Sequence, residues 1–319
     1  MKRILITGGF GIFGTSLSNI LYKKKYRIFL LDRSKKKRII NQINFGPKIK
    51  RIKGDFKNLK QLINIIKKNK INTIIHLGAS TQIIDSYKNP YDTFQTNIFG
   101  TINILEAVRI VNKNINIIFS STVKAYGEMI NNSYKETDPL CGDLPDEVSK
   151  SAADLVAQSY AKTYELRVGI FRSCNIYGPA DFNMDRLIPG TIIKALKGKP
   201  IKLRTSGKLK RDYLYVDDAS KAFYKLMIHM NKNIKKKLFI YNLGSKFNLD
   251  SLEVVKWIYK IMNINLKPKI SNNSSIEIIK QKIDFSKAKK ELKWTPKVNF
   301  SEGITKTIKW YKENYQNKL

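Results

Sequence analysis

A chain of 319 residues with 42% hydrophobic and 11% aromatic side chains has an ordinary globular composition and is long enough for one large domain or two smaller ones. Its 60 Lys and Arg against 25 Asp and Glu give a net charge of +35, yet the cations fall in short scattered clusters (23–25, 35–38, 67–70, 235–237, 287–290) without interleaved aromatics, which predicts a solvated basic surface and no specific nucleic-acid partner. No apolar run reaches about 18 residues, no signal peptide is evident, and Cys141 and Cys174 lack a CxxC or His-rich neighbourhood, so the expectations are a cytoplasmic protein with two free thiols, no membrane span and no metal site.

Residues 3–7 are a short apolar run suited to a buried parallel strand. They lead into Gly8-Gly9-Phe10-Gly11-Ile12-Phe13-Gly14, after which Leu17, Ile20 and Leu21 recur at helical spacing. A glycine-rich turn between a strand and a helix lets the backbone approach a pyrophosphate, and the free N–H groups at the helix start face that anion. The next strand, 27–31, ends in Asp32. A carboxylate there accepts hydrogen bonds from an adenosine ribose and repels a 2′-phosphate, which favours NAD over NADP, with Arg33 as the residue that keeps NADP open.

Strands and helices keep alternating. Strand 49–54 ends in Asp55-Phe56, a pair placed to flank an adenine; helix 59–68 and strand 72–77 follow. His76-Leu77-Gly78-Ala79 closes that strand, a helix spans about 91–112, and strand 115–119 runs into Ser120-Ser121-Thr122. A helix at about 148–164 and a strand at 168–172 complete six strands separated by helices. The pattern predicts an α/β fold with a Rossmann-type doubly wound parallel sheet and ligands at the strands' C-terminal ends. Beyond it come a chain break at 175–179, a helix at 187–196, strands at 199–203 and 211–216, and a helix to about 230 capped by Asp217-Asp218. Strand 239–243 returns to the sheet, helices at 249–262 and 300–315 finish the chain, and 267–282 is a loop or edge strand. These elements divide the chain into a dinucleotide-binding domain, 1–175 rejoined by 216–244, and a smaller C-terminal α/β substrate lobe from 176–215 and 245–319. His76 reads as a packed histidine with His229 far from it, and Asp181 and Asp185 lie either beside a ligand or on a solvated loop.

The motifs in order are TGGFGIFG at 7–14, HLGA at 76–79, Asn97 with GTINILEA at 100–107, SSTVKAYG at 120–127, VSKSAADL at 148–155, RSCNIYGP at 172–179, RDYLYVDD at 211–218 and KWTPKVNFSEGI at 293–304. Over nearly the whole chain the series resembles the extended short-chain dehydrogenase/reductase enzymes that epimerise, dehydrate or decarboxylate nucleotide sugars. Lys124 after Thr122, and the stretch 181–186, look most like the CDP-glucose 4,6-dehydratase branch. The resemblance implies bound NAD and a nucleotide-diphosphate sugar. It implies that Leu77, Gly78, Ala79 and Asn97 belong to the cofactor cradle, that Lys150 binds the nicotinamide ribose, and that the Thr122 hydroxyl holds the sugar O4. Asn175, Arg186 and Arg211 match positions that hold the nucleotide diphosphate or its sugar, where guanidinium suits phosphate. The helices at 91–112 and 148–164 resemble those of a four-helix homodimer interface.

Two positions depart from the family. Its Tyr-x-x-x-Lys reads Asp146-Glu147-Val148-Ser149-Lys150, and an aspartate has a reference pKa about six units below tyrosine. Val123 stands where the 4,6-dehydratases carry an Asp that protonates the leaving 6-hydroxyl, while Lys124 remains a candidate base for the C5 proton. Three readings follow: another group, Tyr126, Tyr134, Tyr177 or Lys150, replaces the tyrosine; the reaction is changed; or the chain is a catalytically weakened protein that binds NAD and a nucleotide sugar.

Overall fold

The computed structural model describes residues 2–33, 48–129, 131–271 and 278–315; the basic cluster expected at 35–38 and part of the loop expected at 267–282 lie outside these. Among the described residues the strands are β1 (Arg3–Thr7), β2 (Arg27–Asp32), β3 (Ile49–Lys53), β4 (Thr73–His76), β5 (Asn116–Thr122), β6 (Arg167–Ser173), β7 (Asn175–Tyr177), β8 (Lys202–Leu203), β9 (Lys210–Tyr215), β10 (Leu238–Leu243), β11 (Asn248–Asp250) and β12 (Lys269–Ile270). The helices are α1 (Ile12–Lys23), α2 (Leu59–Asn69), α3 (Ile83–Lys88), α4 (Pro90–Phe94), α5 (Gly100–Val111), α6 (Pro145–Thr163), α7 (Leu187–Leu196), α8 (Val216–Lys232), α9 (Ser251–Met262), α10 (Ser286–Leu292) and α11 (Phe300–Tyr315).

Strand β1 is apolar because it is covered on both faces, and that burial puts it inside a parallel sheet of order β10-β6-β5-β4-β1-β2-β3. The chain winds outward through β2 and β3, then returns to the other side of β1 as β4. The reversal between β1 and β4 is where an open α/β sheet leaves a crevice for a ligand. Helices α1 and α8 cover one face through Leu17, Leu21, Phe223 and Leu226; α2, α5 and α6 cover the other through Leu62, Ile66, Ile104 and Ala157. Each such side chain, taken fully out of water, contributes about 1.5–3 kcal/mol. A third core, built on Ile192, Ile258, Ile304 and Tyr311, belongs to the lobe, where β11, β9 and β7 form a separate small sheet.

Four sequence expectations change. Residues 283–294 pack with the first half rather than the lobe: Ile283, Ala288, Leu292 and Trp294 sit in the core beneath α8 and β10. The helix expected over 91–112 is α4 and α5 joined by a π-helical turn, Gln95–Phe99, whose extra residue turns Asn97 into the interior. Helix α6 starts earlier than 148, at Pro145, where a proline has no N–H to lose, so Asp146 lies inside the helix. Asp217-Asp218 does not cap α8, which begins at Val216. Asp217 instead accepts from Ser16, and Asp218 accepts from Lys297 N and Val298 N at 2.8 and 2.7 Å while its carbonyl accepts from Trp294 Nε1 at 2.9 Å. No helix among the described residues is long and apolar enough to cross a membrane.

Candidate active site

At the β1–β4 reversal the two backbones nearly touch. Gly8 has φ +64°, and a Cβ there would stand 2.8 Å from Gly78 N; at Gly14 it would stand 2.5 Å from Gly9 Cα. At Gly11 it would meet only Gly8 O, at 3.5 Å, because that side opens into a cavity of about 760 Å³. No side chain caps α1 at Gly11, so the first N–H groups of the helix, from Ile12, Phe13 and Gly14, have no partner within it and present a positive end to the cavity. Asp32, Leu77, Gly78 and Ala79 line the same space.

A side pocket of about 390 Å³ is lined by Arg33, Lys53, Gly54, Asp55 and Gln61, with Arg33 Nη1 3.9 Å from Asp55 Oδ2. Phe56 sits apart from this pocket. Its ring is buried against Gly78, Gly100 and His76 and lines neither cavity, because the two glycines leave a slot that only an apolar wedge fills. Asn97 also lies behind the wall: it accepts from Ser80 N and donates to Ser80 O and Ser149 Oγ, fixing the loop after β4 to α6. His76 shares hydrogen bonds with Thr7 at 2.6 Å and Thr101 at 3.4 Å; burial, helped by the Lys150 charge, pushes its pKa down to about 3, so it stays neutral.

The end of β5 and the first turns of α6 bring the chemical groups together. Asp146 and Lys150 are four residues apart and share one helix face. Lys124, in the short 3₁₀ turn Val123–Tyr126, reaches Asp146 Oδ2 with Nζ at 3.0 Å, while Asp146 Oδ1 is buried without a hydrogen-bond partner among the described residues. Lys150 Nζ donates to Ser120 O at 2.6 Å and lies 4.4 Å from the Phe119 ring centroid. Burial pushes its pKa down to about 8, with the Asp154 charge acting the other way. Thr122 lines the cavity and its hydroxyl accepts from Lys124 N at 3.3 Å. Sequence reasoning missed Ser121 and Ser173, neighbours on β5 and β6 whose hydroxyls are buried in the cavity wall without partners among the described residues. Their place at strand ends was the available signal.

The tyrosine substitutes do not reach this cluster. Tyr126 donates to Asn242 Oδ1 at 2.7 Å and stacks on Tyr134, whose hydroxyl donates to Gly127 O at 2.6 Å; neither lines the cavity, and burial pushes both up to about 12. Tyr177 lines it, but its hydroxyl turns into the lobe toward Phe300 O, and burial raises its pKa as well. Val123 is buried in the core and does not line the cavity.

Asn175 on β7, and Arg186 and Arg211 from the lobe, all line the cavity. Arg186 pairs with Asp181 at 3.0 Å and donates to Thr81 Oγ1 at 3.3 Å, bridging the two halves. Arg211 donates to Lys210 O and Ile279 O. Lys202, in the two-residue strand β8, and Arg204, just after it, add cations that a strand so short did not advertise. The described residues hold no His, Cys, Asp and Glu group suited to a metal ion.

The family model described as GDP-mannose 4,6 dehydratase matches residues 5–307. A trifunctional UDP-glucose 4,6-dehydratase/UDP-4-keto-6-deoxy-D-glucose 3,5-epimerase/UDP-4-keto-L-rhamnose-reductase from Arabidopsis thaliana is 30% identical over 98% of the chain, which spans 48% of that relative. A dTDP-D-glucose 4,6-dehydratase from Dictyostelium discoideum is 31% identical over 98% of the chain and 82% of its own length. Among solved structures, a dTDP-glucose 4,6-dehydratase from Bacillus anthracis in complex with NAD superposes with a TM-score of 0.87 at 29% identity, covering 98% of this chain and 97% of that one.

Proposed function

The chain belongs to the GDP-mannose 4,6-dehydratase family, and from that premise we propose that it is an NAD-dependent enzyme that modifies a nucleotide-diphosphate sugar, by epimerisation or 4,6-dehydration through transient oxidation at C4. One observation carries the reading: a single cavity joins a helix start built for a pyrophosphate, a proton-active cluster and the lobe's arginines. The residues present fit NAD. Gly8 and Gly14 hold the turn, Gly11 leaves room beside Ile12 and Phe13, Arg33 and Asp55 border the side pocket, and Asp32 and Lys150, which line the cavity, would take the adenosine ribose and the nicotinamide ribose respectively. NAD, when bound, supplies the hydride acceptor at C4.

The chain's own residues supply the rest. Thr122 holds the reacting hydroxyl, and Arg186 and Arg211 bind phosphate or sugar oxygens beside Asn175. Lys124 stands at the cluster's open edge. Val123 puts no acid at the 6-hydroxyl, which weighs toward epimerisation. The second reading, a weakened protein that binds NAD and the sugar nucleotide without turnover, is favoured by Asp146. A homodimer accompanies the proposal: Tyr91, Phe99, Ile110 and Leu155 expose apolar surface along α4, the π turn, α5 and α6. A cytoplasmic location suits it too, Cys141 and Cys174 being free thiols.

The test is to denature the purified chain and assay the released nucleotide, then to reload it and measure thermal protection by CDP-, dTDP-, UDP- and GDP-hexoses. NAD is expected in the extract, with protection by at least one sugar nucleotide. A chain that neither carries nor binds NAD would sink the proposal.

A further inference from the structure

Asp146 stands four residues before Lys150, where the tyrosine that takes the sugar proton is expected, and an ion-paired carboxylate is a feeble base for an alcohol. One carboxylate oxygen is occupied by Lys124 at 3.0 Å, and the other is buried without a hydrogen-bond partner among the described residues. Lys124 is engaged by that ion pair, and a quarter of its side chain is exposed in the cavity it lines. Lys150 is in the opposite situation. Its described polar contact is the Ser120 carbonyl, it forms no ion pair among the described residues, and its flank is the Phe119 ring. Asp154, four residues further along its helix, has both oxygens on Arg172, at 3.0 and 3.1 Å.

Two lysines in one site are thus held in contrasting environments, the arrangement that assigns acid and base roles. We infer that they divide the tyrosine's work: Lys150 takes the proton from the sugar hydroxyl, and Lys124, fixed by Asp146, stabilises the charge that grows on that oxygen. This rests on the functional reading above. The O–H bond breaks to the lone pair of the Lys150 amine, which becomes an ammonium. The pair left on oxygen forms the second carbonyl bond as the C–H pair departs as hydride to an oxidised nicotinamide. Asp146 is a positioning residue. The charged or titratable groups around Lys150 are His76 on β4, Arg172 on β6, Lys124 beside β5, and Asp146, Glu147 and Asp154 on α6. His76 is neutral and Arg172 is paired, so the low dielectric decides, and Lys150 titrates from about 8.

The experiment uses the full chain loaded with NAD, the nucleotide-glucose panel (CDP, dTDP, UDP, GDP), and the variants K150R, K124R and D146N. Lysine ¹³Cε resonances, assigned by their loss in K150R and K124R, are titrated by NMR. The resonance of Lys150 is expected to move with a midpoint near pH 8, with that of Lys124 followed alongside it. The kcat/KM of the wild type rises through a limb near pH 8. K150R, assayed at saturating NAD, loses at least ~100-fold in kcat. D146N loses about tenfold and keeps the limb. A limb near 8 that persists in K150R, or a D146N variant that loses both the limb and ~100-fold or more, moves the base role to another group and overturns the assignment. Absence of wild-type turnover with NAD bound overturns the functional reading itself.

Discussion

Arg172 has 2% of its side chain exposed, and the carboxylate of Asp154, fully buried, meets it in two parallel hydrogen bonds. Removing the acid leaves a guanidinium in the core, so Asp154→Ala should cost about 3–5 kcal/mol, read as a lower urea midpoint at unchanged slope. Lys150 gives a pH signature. Its proton is released at about 8 in the fold, against 10.5 when unperturbed, so between those values the unfolded chain binds more protons and stability rises with pH. The unfolding free energy of wild type minus that of Lys150→Met should be flat below pH 8 and grow from 8 to 10.5. A difference that falls over that window would contradict the burial of an unpaired amine. The sequence marks Asp146 and Lys124 as unusual. It hides that they bind each other, because 22 residues separate the carboxylate on α6 from the turn that follows β5. It also hides which tyrosines are sealed away, since Tyr126 and Tyr134 are buried by segments from other parts of the chain.

At the level of elements, legibility followed length and period. Helices α7 and α11 lie where the apolar spacing predicts them, residue for residue, and the inner strands of the large sheet have their apolar runs, whereas the edge strand β3 reads Ile-Lys-Arg-Ile-Lys. Strands of two or three residues such as β7, β8, β11 and β12 carry no period and are made by pairing alone. Asp217-Asp218 shows how a local rule loses to tertiary structure: acids at a helix start imply a cap, but Asp218 is spent on the closing segment's Lys297 and Val298 N–H groups. Asp218→Ala leaves those donors unsatisfied and should cost about 2–4 kcal/mol. Limited proteolysis reads it directly, as earlier cutting near 294–299. Unchanged cutting would mean that Trp294 packing alone holds the segment.

Over the whole molecule, Arg186 spans the cavity from Asp181 in the lobe to Thr81 beyond β4. On the outer face of the α5–α6 layer, Leu155 and Phe99 are each about half exposed, at 52% and 50%. Leu155→Glu should convert a dimer to a monomer in sedimentation velocity while NAD stays bound; a wild type that is itself monomeric at micromolar concentration would refute the interface. The most direct measurement of the central claim is ¹H NMR of the NAD-loaded full chain with CDP-, dTDP-, UDP- and GDP-glucose, following the sugar C4 and C6 protons. Loss or inversion of the C4 proton signal is predicted for at least one of the four. Four unchanged spectra from a folded, NAD-loaded chain would contradict it.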